Sequence, residues 1–398
     1  MIKWLTIIGM GEDGWDGLSP RARHIIETTE IIVGSTRLLS FLPDVRAERL
    51  EWPKPFSAVI EQIKPLAGRN TVILATGDPM NYGVVRKLME FIPFAEMTVI
   101  PHLSAFSLAA SRMGWSLPDC DTLTLHGRAA ANLEAFIQPE AKLIVLTADA
   151  TTIPGITRRL HERGFGESQI TVLENLGGAN ENVSIYDPHT EYSALNTVAI
   201  HSIASPNAKI YSRLAGLPDE AFVHDGQLTK REVRAATLAA LAPAPDQLLW
   251  DIGAGCGSVS IEWMRSTRGC EAMAFEHNPE RLAMIAQNMD ALGTPRLKVV
   301  AGKAPEAFAN MPAPHAVFIG GGVGNSGVFE TAWEKLRPAG RLVANVVTIE
   351  GEMHLYDLQE KYGGDLVKIE ISNLTSVGPY RAMKPRMSVT QWRVQKPW

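Results

Sequence analysis

The chain is poor in cysteine, has no long apolar run and carries no excess of positive charge. Its three cysteines, Cys120, Cys256 and Cys270, lie scattered through 398 residues. That excludes a disulfide framework and a thiolate metal cage, so no metal is expected. No apolar run approaches the ~18–20 residues that span a bilayer. The opening KWLTIIG is a short strand broken at Gly9, without the pattern of a signal peptide. No membrane association is expected, and the expected compartment is the cytoplasm. Lys and Arg total 38 against 43 Asp and Glu, a net charge of −5. That balance argues against nucleic acid as a partner, although local basic clusters remain able to receive an anion. Repeats and low-complexity tracts are also lacking, which excludes a solenoid.

What is present is ordinary globular composition, 45% apolar and 20% charged, at a length that suits two domains. In the first half, KWLTIIG, TEIIVG, TVILAT, MTVIP, TLTLHG and KLIVLT are β-branched runs ending in turn residues. Helical patterns alternate with them, such as SPRARHIIETT, with Ser19 as cap and Pro20 at the first helical position. ITVLENLG, ENVSIYD and NTVAIHS read as antiparallel strands, so this half is expected to form one mostly parallel lobe and one mixed lobe. Residues 205–227 have no sustained period and read as a linker between domains at 1–204 and 228–398.

In the second half TKREVRAATLAALAP predicts a helix opened by a capping box of Thr229 and Glu232. LLWDIG, EAMAFE, LKVVAG, AVFIGGG and GRLVANVV follow as strands, with a helix starting at Asn278-Pro279-Glu280. LVKIEIS and MSVTQWRV predict a hairpin-like pair at one sheet edge. The class expected is α/β, the second half doubly wound.

The chemistry concentrates in WDIGAGCGSVSIEW, residues 250–263. Gly253, Gly255 and Gly257 make G-x-G-x-G, and Ser258 stands where a dinucleotide fingerprint needs its last glycine. Asp251 precedes the loop, and Glu276 ends the next strand, placed to accept both ribose hydroxyls of a nucleoside. A pyrophosphate is disfavoured beside an acid, whereas a cationic sulfonium nucleoside tolerates one. The pattern resembles motifs I and II of class I S-adenosylmethionine methyltransferases. The resemblance implies a cofactor site at Gly253, Ala254, Gly255, Cys256, Gly257 and Glu276, with Ala304 of GKAPEAF seating the adenine. Thr229 either caps its helix or closes over the cofactor. Cys256 has no nearby histidine to activate it, which disfavours a nucleophile. FIGGG (318–322) lacks the side-chain fork by which amino-methylating enzymes hold an amine, so the acceptor is expected to be carbon or oxygen on a small molecule.

A second glycine loop, IIGMGEDGWDGLSPRA, opens the chain. VGSTRLL, LATGDPMNYG, PHLSAFSLAASRMGW, TLHGR, LTADATTIPGITRRLHERGFG and LENLGGANE follow in order. Together they resemble the tetrapyrrole methylase family over residues 1 to about 203. That resemblance implies a two-lobed fold in which Gly77, Asp78, Met80, Asn81, Tyr82, Ser104 and Ala105 line the S-adenosylmethionine site, while Gly9 and Gly11 face the tetrapyrrole. Two departures stand out. The usual P-G-x-S-S is Pro101-His102-Leu103-Ser104-Ala105, losing its second serine, and the family aspartate is either Asp13 or Asp16.

Fused in this order, the two halves resemble enzymes that methylate a late corrin precursor in cobalamin biosynthesis. The fold implied is a tetrapyrrole methylase followed by a Rossmann-like methyltransferase domain, with one S-adenosylmethionine site in each. The activity implied is methylation at C5 and C15 with loss of the ring C acetate carboxyl, and pairing into a homo-oligomer. The substrate is a polycarboxylate, for which Arg37, Arg112, Arg128, Lys230, Arg231, Arg234, Arg381, Lys384 and Arg386 are candidate partners. His126, Asp13 and Asp16 are the candidates for proton transfer, and the residues around His126 favour an ordinary, partly buried histidine over a proton donor. Three other readings compete: a nicotinamide-dependent oxidoreductase using the 253–257 loop, a non-catalytic nucleoside sensor, and a fusion to an RNA methyltransferase. The acidic charge and FIGGG oppose the last of these.

Overall fold

A computed structural model describes residues 3–398, which fall into two compact units. The first comprises residues up to Ala130 together with Pro139–Lys209. Its first sheet holds β1 (Leu5–Met10), β2 (Ile31–Gly34), β3 (Glu48–Glu51), β4 (Thr71–Thr76) and β5 (Met97–Ile100) in the order β3-β2-β4-β1-β5. Every pairing is parallel. Both faces are covered: Leu5 and Ile7 pack with Ile63 and Ile73, while Ile8 and Met10 pack with Ile26 and Leu38. Burial on both faces explains continuous apolar runs instead of alternation. Ser19 caps helix Pro20–Thr28 as expected, its hydroxyl accepting from Ala22 N at 3.2 Å.

The second sheet of this unit holds β6 (Asp121–Thr124), β7 (Lys142–Leu146), β8 (Gln169–Glu174), β9 (Asn182–Ile185) and β10 (Asn196–His201). Only β6 and β7 pair in parallel; β7-β10, β10-β8 and β8-β9 are antiparallel. The parallel lobe and the mixed lobe therefore stand where the patterns put them. Phe106, Ala109 and Ala110 of helix Ala105–Met113 pack on Ile144, Leu173 and Ala199.

The second unit comprises Ala131–Gln138 and Ile210–Trp398. Its strands are β11 (Leu248–Ile252), β12 (Glu271–Glu276), β13 (Lys298–Ala301), β14 (Ala316–Ile319), β15 (Arg341–Val346), β16 (Asp365–Ile369), β17 (Ser372–Val377), β18 (Tyr380–Pro385) and β19 (Val389–Gln395). Seven form one sheet, ordered β13-β12-β11-β14-β15-β19-β16, with β19 antiparallel to both neighbours. The winding reverses between β11 and β14, so the crevice beyond their carboxyl ends is where an open α/β sheet binds its ligand. Leu249 faces a core layer with Trp263 and Val343, and Trp250 the opposite layer with Phe275, Phe308 and Trp392.

β16 and β19 do pair at the sheet edge, but β17 and β18 form a separate two-stranded hairpin inserted between them. Asn278 caps helix Pro279–Ala291 by accepting from Glu280 N at 2.8 Å. The capping box at Thr229 is not formed. Helix Arg231–Leu241 starts later, with Lys230 at the cap and its carbonyl accepting from Arg234 N at 2.7 Å. Within 205–227, residues from Ile210 onward pack into the second unit, where Leu217 and Phe222 are buried.

Candidate active sites

In the second unit, β11 ends at Ile252 and the chain turns through Gly253, Gly255 and Gly257, at φ of 71°, 58° and 81°, into helix Ser258–Ser266. These left-handed values are why glycine recurs at alternate positions. Asp251 is 1% exposed; its Oδ2 accepts from Ser260 N at 3.0 Å and Ser260 Oγ at 2.6 Å, while Oδ1 has no partner among the described residues. Burial pushes this carboxyl up to about 6, the Ser260 bonds oppose the rise, and the Glu276 charge adds to it. Glu276, 3% exposed, accepts from Gly255 N at 2.9 Å through Oε2, and from His277 N and Asn278 N at 2.8 and 2.9 Å through Oε1. The loop, the acid and the next helix start are thus fastened to one carboxylate.

Both acids line a cavity of about 1350 Å³, together with Thr229, Gly253, Ala254, Gly255 and Ala304. That volume exceeds the ~300–1,000 Å³ of a site for one small ligand. Five cationic side chains also line it (Lys230, Arg281, Lys303, Lys384 and Arg386) against the two carboxylates alone. Arg281 is paired with Asp225 at 2.8 Å and Arg386 with Glu232 at 3.2 Å, so Lys230, Lys303 and Lys384 are the lining cations without an acidic partner among the described residues. Asn345 in the lining is held from behind by a buried polar network: Gln391 Nε2 donates to Asn345 Oδ1 at 2.9 Å, and both amides donate to Thr237 Oγ1. A cationic nucleoside fits the remaining groups. Glu276 retains lone pairs for hydroxyls, and the orphaned Asp251 Oδ1 is an anionic acceptor that a pyrophosphate would meet with repulsion.

Several expected contacts are not there. Arg234 is fully buried and spent on the fold: it donates to Glu262 at 2.6 Å, Asp219 at 3.2 Å, and the carbonyls of Thr229 and Leu217. Arg231 is exposed outside the cavity. Arg381 also lies off it, beside the turn of the β17–β18 hairpin where it pairs with Ser376, whereas Lys384 and Pro385 at the other end of β18 line it. Cys256 and Gly257 turn away from the cavity; burial raises the Cys256 thiol, which suits packing and not nucleophilicity.

In the first unit the backbone brings two glycine loops together. Gly77 N donates to Met10 O at 2.9 Å, and a Cβ on Gly9 would fall 2.0 Å from Gly77 O and 2.6 Å from His102 N. A cavity of about 530 Å³ beside them is lined by Gly9, Asp13, Pro101 and His102. Of the two candidate aspartates, Asp13 is brought here, with Oδ2 3.6 Å from His102 Nε2 and Gly11 against both side chains. Asp16 is exposed, and its carbonyl accepts from Arg23. The Gly77–Gly83 loop is a turn in which Asp78 accepts from Met80 N and Asn81 N, and it does not line this cavity. Tyr82 (φ 55°) donates to Thr122 O at 3.2 Å and lies under the Arg128 guanidinium at 5.1 Å. Ser104 caps the helix beginning at Ala105. Arg112 is doubly bonded to Glu181, Arg37 is paired with Glu12, and His126 is exposed.

Sequence reasoning overlooked Ser260, Asn345 and His102. The first two carry no local signal, since their partners come from β11 and β19. His102 did carry one, as the departure from P-G-x-S-S.

Residues 4–186 match the tetrapyrrole (corrin/porphyrin) methylases, and residues 220–396 match the precorrin methyltransferase domain. A precorrin-6Y C(5,15)-methyltransferase (decarboxylating) of Sinorhizobium sp is 42% identical over 98% of this chain and 95% of its own length. The chain belongs to that family. Its counterpart of that name in Mycobacterium tuberculosis (strain ATCC 25618 / H37Rv) is 37% identical over 98% of this chain and all of its own. Among solved structures, the C-terminal domain of precorrin-6Y C5,15-methyltransferase from Rhodobacter capsulatus is 44% identical, covering 47% of this chain and all of that domain, at a TM-score of 0.45. The chain is therefore a methyltransferase, and enzymes of this family use S-adenosylmethionine.

Proposed function

We propose that this chain methylates C5 and C15 of a precorrin-6 intermediate and removes the carboxyl of the ring C acetate, as the names of its relatives describe. The first unit, with residues 1–204, is assigned C5, and the second, with residues 228–398, C15 and the decarboxylation. The observation that carries this reading is the cavity of the second unit, which the buried Glu276 at the glycine loop and five cationic side chains line together.

When bound, S-adenosylmethionine supplies an electrophilic methyl on a cationic sulfur. Glu276 would hold the ribose, Gly253, Ala254, Gly255 and Ala304 would line its bed, and the unpartnered Asp251 Oδ1 would favour its positive charge. In the first unit Gly77, Asp78, Met80, Asn81, Tyr82, Ser104 and Ala105 take the cofactor, while Gly9, Gly11 and Asp13 face the substrate. The acceptor is an electron-rich carbon of a conjugated ring, so neither unit needs a strong base to create the nucleophile. Alignment and exclusion of water are the larger contributions. The cationic residues hold the peripheral carboxylates, and an unpaired acetate in the apolar part of the cavity is desolvated towards loss of CO2. The electron pair of the broken C–C bond passes into a protonated imine of the conjugated ring, and a proton from water then completes the methyl group left on the ring. We place the enzyme in the cytoplasm as a homo-oligomer, which sedimentation tests.

The decisive experiment is mass spectrometry of the product from a precorrin-6 substrate. Gain of two methyl groups and loss of one CO2 is expected; gain of a single methyl without CO2 loss overturns the assignment of the second unit.

A further inference from the structure

The hairpin β17–β18 has an uneven chemistry. Every residue of β18 is exposed, yet Asn373 and Lys384, paired across the two strands, both line the cavity, and Arg386 just beyond lines it too. Lys384 has no acidic partner among the described residues. Arg386 has one: its Nη1 lies 3.2 Å from Glu232 Oε2 on helix Arg231–Leu241, with the two side chains 35% and 48% exposed. The Arg386 backbone N–H donates to Ile371 O at 2.8 Å, so the guanidinium starts from a fixed point. Glu232 itself does not line the cavity.

From this geometry we infer that Lys384 and Arg386 are the specificity-determining residues of the second unit, binding two peripheral carboxylates of the tetrapyrrole, and that Glu232 competes with substrate for Arg386. The inference rests on the reading of the second unit as the decarboxylating methyltransferase. An exposed ion pair is worth little and is exchanged readily, so a substrate carboxylate displaces Glu232 at small cost. Lys384 offers a compact charge to any carboxylate within reach, whereas Arg386 offers a planar fork that fixes orientation. Neither residue pairs with the acetate that is lost, because a cation on that carboxylate would stabilise it against departure of CO2. Their carboxylates are peripheral ones that remain in the product.

The test is steady-state kinetics of the full chain on a precorrin-6 substrate, following C15 methylation and CO2 release separately. Lys384→Ala and Arg386→Ala are each expected to raise KM about tenfold with kcat nearly unchanged, the cost of one charged contact. Glu232→Gln is expected to lower KM about threefold, and to have no effect when Arg386 is already alanine. Arg381→Ala, at the turn end of the same strand and off the cavity, is the control and leaves KM unchanged. Equal effects of Arg381→Ala and Lys384→Ala would reduce the result to general charge and overturn the inference. So would a Glu232→Gln effect that persists without Arg386. Binding of S-adenosylhomocysteine by calorimetry must stay at the wild-type value in all variants, which shows that they fold. If the wild type itself releases no CO2, the functional reading fails; if it does and the variants keep KM, only this inference fails.

Discussion

The two units each close a glycine loop against a second backbone segment, and they do so by different means. In the first, the closure is backbone on backbone: Gly9 meets Gly77 and His102 with no room for a Cβ. In the second it is carboxylate on backbone: Glu276 gathers the N–H groups of Gly255, His277 and Asn278. The first arrangement is specified by the absence of a side chain and the second by the presence of one. A substitution at the first loop should therefore act through shape, and one at the second through charge.

The largest effect is expected from Glu276→Ala. It removes one acceptor from three buried or half-buried N–H groups and, on the proposed reading, from the ribose, each charged hydrogen bond being worth ~1.5–3 kcal/mol. C15 methylation and CO2 release should fall at least ~100-fold, while C5 methylation continues. Product mass would show one methyl gained and no carboxyl lost; equal loss of both methylations would end the contrast between the units.

Gly9→Ala tests the other side. A Cβ 2.0 Å from one carbonyl oxygen and 2.6 Å from another backbone nitrogen cannot be absorbed by rotating a side chain. Overpacking of this kind costs ~1–3 kcal/mol or more. Denaturant unfolding should show the loss in the transition of the first unit, and C5 methylation should disappear while C15 methylation remains.

How far the sequence exposed these sites differs in the same way. The loops, the two sheet types and Asn278 as a cap were legible because each is a local signal: spaced glycines, β-branched runs, Asn before Pro. Arg234 was not. In sequence it is one of several basic residues near a helix start, and only the fold shows it held by Glu262, 28 positions away. The failed capping box has a related cause, since Thr229 has its carbonyl engaged by that same arginine and the helix begins later. Arg381 and Lys384 could not be told apart either, because only the hairpin puts the first beside its turn and the second at the cavity. Nor could Asp13 and Asp16, because choosing between them requires knowing where His102 lies.

A smaller effect concerns acidity at Asp251. Its carboxyl is raised by burial to about 6 from an ordinary value of 3.8, so the folded chain holds that proton more tightly than the unfolded chain does. Its contribution to stability is complete below pH 4 and is lost as pH rises through 6, roughly 3 kcal/mol at most. Binding of a cation runs the opposite way, because the ionised form that folding disfavours is the one a sulfonium nucleoside prefers. Calorimetry should show S-adenosylmethionine binding to the second unit tightening between pH 5 and 7 in the wild type. Asp251→Asn should flatten both this trend and the fall in stability; an unchanged slope in the variant would assign the titration to another group.

The smallest effect is expected at Cys256, and it tests how much of the second loop is chemistry. The thiol is 2% exposed, raised by burial, and packed in the layer that holds Ile261 and Ile285. It faces away from the cavity, and its contribution to the loop is its carbonyl, which accepts from Asn288 Nδ2 at 2.9 Å. Cys256→Ala keeps that carbonyl and removes one sulfur from the core, at a cost of about 1 kcal/mol. C15 methylation should be unaffected within twofold, and a thiol-alkylating reagent should not inactivate the native enzyme through this residue. Loss of turnover in Cys256→Ala with cofactor binding intact would instead mean that the sulfur takes part in the reaction, and that both loops would have to be read again as more than backbone supports.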